Sequence, residues 1–175
     1  VYSTKAKAWK STPVLTDTDG KKLVSGTDYD KNIIYTYRYD TTVLDGSSKL
    51  KEKPVIYRQE GETVADSDII LVNTIIDVTV LTDNAKNHNY NGSASGFYRI
   101  IAADISKAKV TIPSQYYTGR PVTLSKADLT VKVGKETLKT TDYDIVSYEN
   151  NIAKGTAKVT LKGKGNYGGI KVATF

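Results

Sequence analysis

Along most of the chain, apolar and polar residues alternate in short runs. Val110 and Ile112 alternate with Lys109 and Thr111, Val131 and Val133 with Thr130 and Lys132, and Val159 and Leu161 with Lys158, Thr160 and Lys162. A period of two, apolar inward and Lys or Thr outward, is what a half-buried sheet requires. Turn residues recur at about 8–12 positions, the spacing of a β-sandwich. They fall at Pro113-Ser114, Thr118-Gly119, Gly134, Glu149-Asn150-Asn151 and Gly163-Lys164-Gly165. No segment holds a 3.6-residue period for three turns. No apolar run is longer than Ile69 to Val72, a strand's worth and far short of the ~20 residues a membrane helix needs.

An internal repeat organises these strands. The stretch from Gly20 to Asp30 (GKKLVSGTDYD) answers that from Gly134 to Asp144 (GKETLKTTDYD), with six of eleven positions identical. A second anchor pairs Asn89-Tyr90-Asn91-Gly92 with Asn166-Tyr167-Gly168-Gly169, each followed by a strand-like run ending in an aromatic residue, Phe97-Tyr98 and Phe175. Tyr29 to Tyr143 spans 114 residues and Tyr90 to Tyr167 spans 77, so the first copy carries 37 extra. That insertion is placed near residues 38–73. The reading is therefore an enlarged first module, 1–103, and a shorter second one, 104–175, joined by Ala102-Ala103-Asp104-Ile105. With neither Gly nor Pro, that junction is expected to be short and stiff.

The pattern Gly-Lys-x-Leu, Gly-Thr-Asp-Tyr and then Gly-Thr-Ala-x-Val-Thr-Leu-x-Gly-x-Gly-Asn-Tyr-x-Gly resembles the immunoglobulin-like repeats of cell-surface and secreted proteins of Gram-positive, clostridial gut bacteria. The second copy carries Gly155 to Leu161 and Gly165-Asn166-Tyr167 almost in full. The first departs where Ile76 to Leu81 replaces the Gly-Thr-Ala strand. Such repeats serve as stalks, spacers and adhesive modules. The resemblance thus implies two tandem immunoglobulin-like β-sandwich modules, an extracellular location and no catalysis, while fold alone leaves the partner open.

Composition narrows the chemistry. The 175 residues contain no Cys, no Met and one His, which excludes disulfide scaffolds, thiol catalysis and Cys- or His-rich metal sites. A chain that begins at Val1 without any Met reads as a fragment of a longer polypeptide. His88 stands in Asn87-His88-Asn89-Tyr90-Asn91-Gly92, a turn-forming stretch, and is expected to be an exposed loop residue. Asp17-Thr18-Asp19-Gly20 and Asp28-Tyr29-Asp30 have the oxygen ligands calcium favours, but neither offers the third ligand and closing glutamate of a calcium loop. They are read as turns, with the tyrosine of Asp-Tyr-Asp inward and the acids at the rim. No metal and no cofactor is expected.

The charge is uneven. Residues 1–103 hold 13 Lys+Arg and 13 Asp+Glu, whereas residues 104–175 hold 12 against 6, so the whole excess of +6 lies in the second copy. With eleven lysines and only Arg120 there, nucleic acid is not an expected partner. Outward lysines keep a sheet soluble and discourage edge pairing, with weak attraction to acidic glycans as the functional variant.

For binding, the conspicuous feature is Tyr35, Tyr37 and Tyr39, three rings on one side of a strand, with Thr36, Arg38 and Asp40 on the other. Tyr35 is assigned to the core. Tyr37, Tyr39 and Tyr57, with Arg38 and Arg58, are the candidate ligand-binding residues, at the edge of the insertion. Trp9 is expected as a partly buried edge anchor. The resulting expectation is a non-catalytic extracellular adhesion module that recognises a host glycoprotein or an immunoglobulin, or acts as a rigid spacer. The alternative is a carbohydrate-binding module of a multimodular glycoside hydrolase, which would present two or three exposed rings.

Overall fold

The computed structural model describes residues 1–39 and 59–175. Of these residues 37% are strand and 2% helical, against the ~20–25% strand of an average domain. The protein is all-β, with several antiparallel sheets. It divides into two compact units, Val1–Ile101 and Ala102–Phe175.

In the first unit β1 (Ile34–Tyr39), β2 (Thr74–Leu81) and β3 (Ser93–Arg99) form an antiparallel sheet in the order β1-β2-β3. Alternation along β2 sends Ile76, Val78 and Val80 to the core. The register sets Tyr35 opposite Val78 and Tyr37 opposite Ile76, so the tyrosines of β1 face inward with them. Trp9, Val64, Ile70 and Ile100 complete the same cluster. Trp9 is accordingly a core residue, edge-on to Tyr35 at 5.3 Å, and its indole Nε1 is buried with no hydrogen-bond partner among the described residues. Tyr98 donates its hydroxyl to the Trp9 carbonyl at 2.8 Å, and burial pushes its pKa up to about 12.

The described end of the supposed insertion is also structural. Thr63 bridges Thr36, the Val64 N–H donates to Tyr35 O and the Tyr37 N–H to Glu62 O. Residues 61–64 thus cover the outer edge of β1. Behind them Asp68 is fully buried; its Oδ2 accepts from the Tyr37 hydroxyl and the Ala65 N–H, both at 2.9 Å. This stretch is core material, because its apolar residues fill the space beside the tyrosine row.

In the second unit β4 (Ala103–Asp104) pairs in parallel with β10 (Tyr167–Gly168). The strands β5 (Lys109–Thr111), β6 (Thr130–Val133) and β7 (Glu136–Thr137) form one antiparallel sheet. Another joins β11 (Ile170–Thr174), β9 (Lys158–Gly163) and β8 (Tyr143–Glu149). Val131, Tyr143, Val159 and Leu161 are buried, while Lys109, Lys132, Lys158 and Lys162 are exposed, as a period of two requires. Ala103 and Asp104, read from sequence as part of a junction, are instead a strand of this unit: the Ala103 N–H donates to Asn166 O and the Ile105 N–H to Gly168 O. The Gly-x-Gly-Asn-Tyr-x-Gly motif has a steric cause at Gly163, where a Cβ would stand 2.7 Å from the Gly168 backbone nitrogen.

Both sequence anchors have matching local geometry. Gly20 and Gly134 turn with φ of 81° and 60°. Tyr29 and Tyr143 are buried. Tyr90 donates its hydroxyl to Asp17 at 3.0 Å and Tyr167 donates to Glu136 at 2.9 Å. The acids of the first Asp-Tyr-Asp are not at a rim, however. Asp28 and Asp30 are buried, because each anchors a neighbouring loop: Asp28 accepts from the Val24 N–H and the Asn87 amide, and Asp30 from the Asn84 N–H and side chain.

Several carboxyls are held below the ordinary aspartate range. The causes are the Val24 N–H and then Asn87 at Asp28, the Lys21 N–H at Asp17, Lys7 and Lys10 at Asp66, the Ser106 side chain at Asp104, and Lys126 at Asp144. A pKa lower in the folded state than the ~3.9 of an unfolded aspartate gives stabilisation that is complete above that value and is lost as pH falls through the folded values. Thermal unfolding is therefore expected to keep a flat midpoint from neutrality to about pH 5 and to lose it below about pH 4. Asp28→Asn should flatten that acid limb; an unchanged limb would contradict the assignment.

Candidate functional site

The inward turn of the tyrosine row decides the fate of the predicted site. Tyr37 is 4% exposed and Tyr39 half-buried, its ring stacked on Tyr37 at 5.9 Å between centroids. Neither is an exposed anchor, because Trp9, Val64 and Ile70 claim that side of β1. Tyr57 and Arg58 lie outside the described residues. Arg38, on the opposite side of β1, is the predicted site residue that the structure places at a surface.

Around Arg38 the outer face of the sheet forms a defined cluster. The register sets Thr36, Asp77 and Phe97 in one row across the three strands, with Ile34, Thr79 and Ser95 in the next. The Arg38 guanidinium grips Asp77 by two nitrogens, Nε at 2.9 and 3.1 Å and Nη2 at 2.9 Å, which raises the arginine pKa further. Its carbon also lies 4.9 Å from the Phe97 ring centroid, inside the ~6 Å range of cation–π attraction. Phe97 is 69% exposed in mid-strand. The aromatic pair ending the repeat run made it visible in sequence, but as an anchor of the repeat and not as a surface.

The inner side of β3 is different. Ala94 and Gly96 are small, and between them and residues 11–16 a groove of about 590 Å³ opens over Val78 and Val80.

A second concave surface lies in the second unit, where sequence reasoning saw only turns. Tyr116 and Tyr117 are 87% and 64% exposed and border a depression of about 230 Å³ with Gln115, Asn150, Asn151 and Lys154. Its walls are pinned: the Val122 N–H donates to Asn151 O at 2.8 Å and Asn151 Nδ2 donates to Val122 O at 2.9 Å. The sequence signal was two adjacent tyrosines, which cannot both point to the inner side of one strand.

The remaining candidates are plain. His88 is exposed in the loop between β2 and β3. Asp17 closes its own turn by accepting from the Asp19 and Lys21 N–H groups. Among the described residues no group of three His, Cys, Asp or Glu side chains converges as a metal site, and no helix is long and apolar enough to cross a membrane.

What fold and surface define is an all-β protein, mostly of antiparallel sheets, with candidate recognition surfaces in each of its two units. No protein-family model, no curated protein and no solved structure matches the chain.

Proposed function

We propose that the chain is a non-catalytic recognition module of a secreted or surface-attached bacterial protein, two immunoglobulin-like β-sandwich modules in tandem. The first module binds a host extracellular glycoprotein such as an immunoglobulin. Supporting the tandem reading are the paired landmarks of the two units: the glycine turns, the buried tyrosine of Asp-Tyr-Asp, and the tyrosine hydroxyl on a carboxylate.

The observation that carries the binding reading is Phe97. Folding does not require a phenylalanine at an outward mid-strand position, where Thr or Lys keeps the sheet soluble. Arginine and aromatic residues dominate binding hot spots, and Arg38 is already immobilised by Asp77 and the ring, so little ordering entropy remains to be lost on contact. Small hydroxyl residues, Thr79 and Ser95, flank the pair and leave the ring accessible.

With the whole chain immobilised against a panel of immunoglobulins and mucin-type glycoproteins, Phe97→Ala is expected to weaken binding about 30-fold, the scale of a ~2 kcal/mol hot spot. The thermal midpoint should fall by no more than a few degrees, the scale of losing one exposed cation–π contact. Equal binding by Phe97→Ala would remove this face from the proposal; no binding by the unsubstituted chain to any panel member would leave the spacer reading.

A further inference from the structure

We propose that the Tyr116–Tyr117 depression of the second unit is a binding site for the carboxylate-bearing end of an acidic glycan. The site is in the other unit from Phe97, so it stands or falls separately from the protein-binding face.

Three observations converge. First, Tyr116, Tyr117 and Ile152, all more than half exposed, line one depression, and neither tyrosine hydroxyl has a partner among the described residues. Two such rings offer the flat apolar faces on which the C–H side of a pyranose rests, and free hydroxyls for its edge. A volume of about 230 Å³ is below the ~300–1,000 Å³ taken by drug-sized ligands, a size suited to a single terminal sugar.

Second, the polar lining is rich in amides. Gln115 is fixed by donating to Pro113 O at 3.0 Å, leaving its Oε1 for a ligand. Asn150, held at φ of 55°, has no side-chain partner among the described residues. Amides supply both donors and acceptors, as sugar hydroxyls require. The Asn151–Val122 clamp fixes the wall, and preorganised walls keep the cost of binding low.

Third, the charge on the lining side chains has one sign. Lys154 lines the depression and no Asp or Glu does. Lys154 makes no ion pair among the described residues, and the surrounding unit has 12 Lys+Arg against 6 Asp+Glu. A cation in a depression lined by no Asp or Glu side chain favours an anionic sugar over a neutral one and adds long-range attraction.

The test uses the whole chain with three soluble probes: sialyllactose, a glucuronate-terminated disaccharide and lactose. Saturation-transfer NMR and calorimetry should show both acidic probes bound and lactose bound at least about tenfold more weakly, with affinity falling as ionic strength rises. Tyr116→Ala and Lys154→Gln should each weaken acidic-probe binding about tenfold, Lys154→Arg much less, while Phe97→Ala leaves it unchanged. All three positions are surface residues, so a cooperative thermal transition within a few degrees of the unsubstituted chain verifies folding. Equal binding of lactose would overturn the acidic-sugar assignment. Acidic-probe binding indifferent to Tyr116→Ala, or absence of binding at millimolar probe, would overturn the site.

Discussion

Tyr143→Ala is expected to destabilise the second unit by about 3–5 kcal/mol, the range for truncating a buried aromatic. Tyr143 is 1% exposed and begins β8 opposite Gly163. Glycine cannot grow to fill the vacated volume, and a shift of β9 is opposed by the close approach of Gly163 to the Gly168 backbone. The Tyr143 hydroxyl donates to Lys126 O at 3.2 Å, so Tyr143→Phe should cost only about 0.5–1.5 kcal/mol, one neutral hydrogen bond. Urea unfolding followed by circular dichroism checks both; matching losses for the two variants would mean that the hydroxyl, and not the ring, dominates.

Asp68→Ala is the second large effect, and it belongs to the first unit. Removing the carboxylate deprives the buried Tyr37 hydroxyl and the part-buried Ala65 N–H of their shared acceptor, and losing hydrogen bonds to a charged acceptor costs about 1.5–3 kcal/mol each. Asp68→Asn, which keeps one acceptor oxygen, should lose less. Trp9 packs in the same cluster as Tyr37 and is the sole tryptophan, so its emission in urea reports this unit. An unmoved midpoint in Asp68→Ala would show that the buried network contributes nothing.

These two predictions rest on contacts of different legibility. Tyr143 was readable as inward because Asp-Tyr-Asp recurs and its flanking strands alternate cleanly. Asp68 was not. It lies in a stretch taken for insertion, and an aspartate among turn residues gives no sign that it will be buried. Its burial depends on Tyr37, 31 residues away, and local pattern does not record which distant donor arrives. The inward turn of Tyr37 and Tyr39 was hidden for a related reason. Period two establishes that Tyr35, Tyr37 and Tyr39 share one side and Thr36 and Arg38 the other. It is silent on which side faces the core, since a tyrosine row satisfies either environment.

Tyr116 and Tyr117 show the complementary blindness. Between Pro113 and Pro121 there is no strand period to assign sides, and their exposure follows from how residues 150–155 fold against Val122. The repeat, by contrast, was legible almost entirely in sequence. Its glycines answer positive φ at Gly20 and Gly134 and a backbone contact at Gly163, constraints that only one residue type satisfies well.

Sequence alone therefore determined the strand periodicity, the all-β class, the turns and the twofold recurrence of landmarks, because each depends on backbone geometry within a few residues. Tertiary structure alone decided which side of β1 is core, that residues 59–73 help to build it, and that Arg38 with Phe97 and Tyr116 with Tyr117 are left at surfaces. Those outcomes depend on which distant segments compete for the same buried volume.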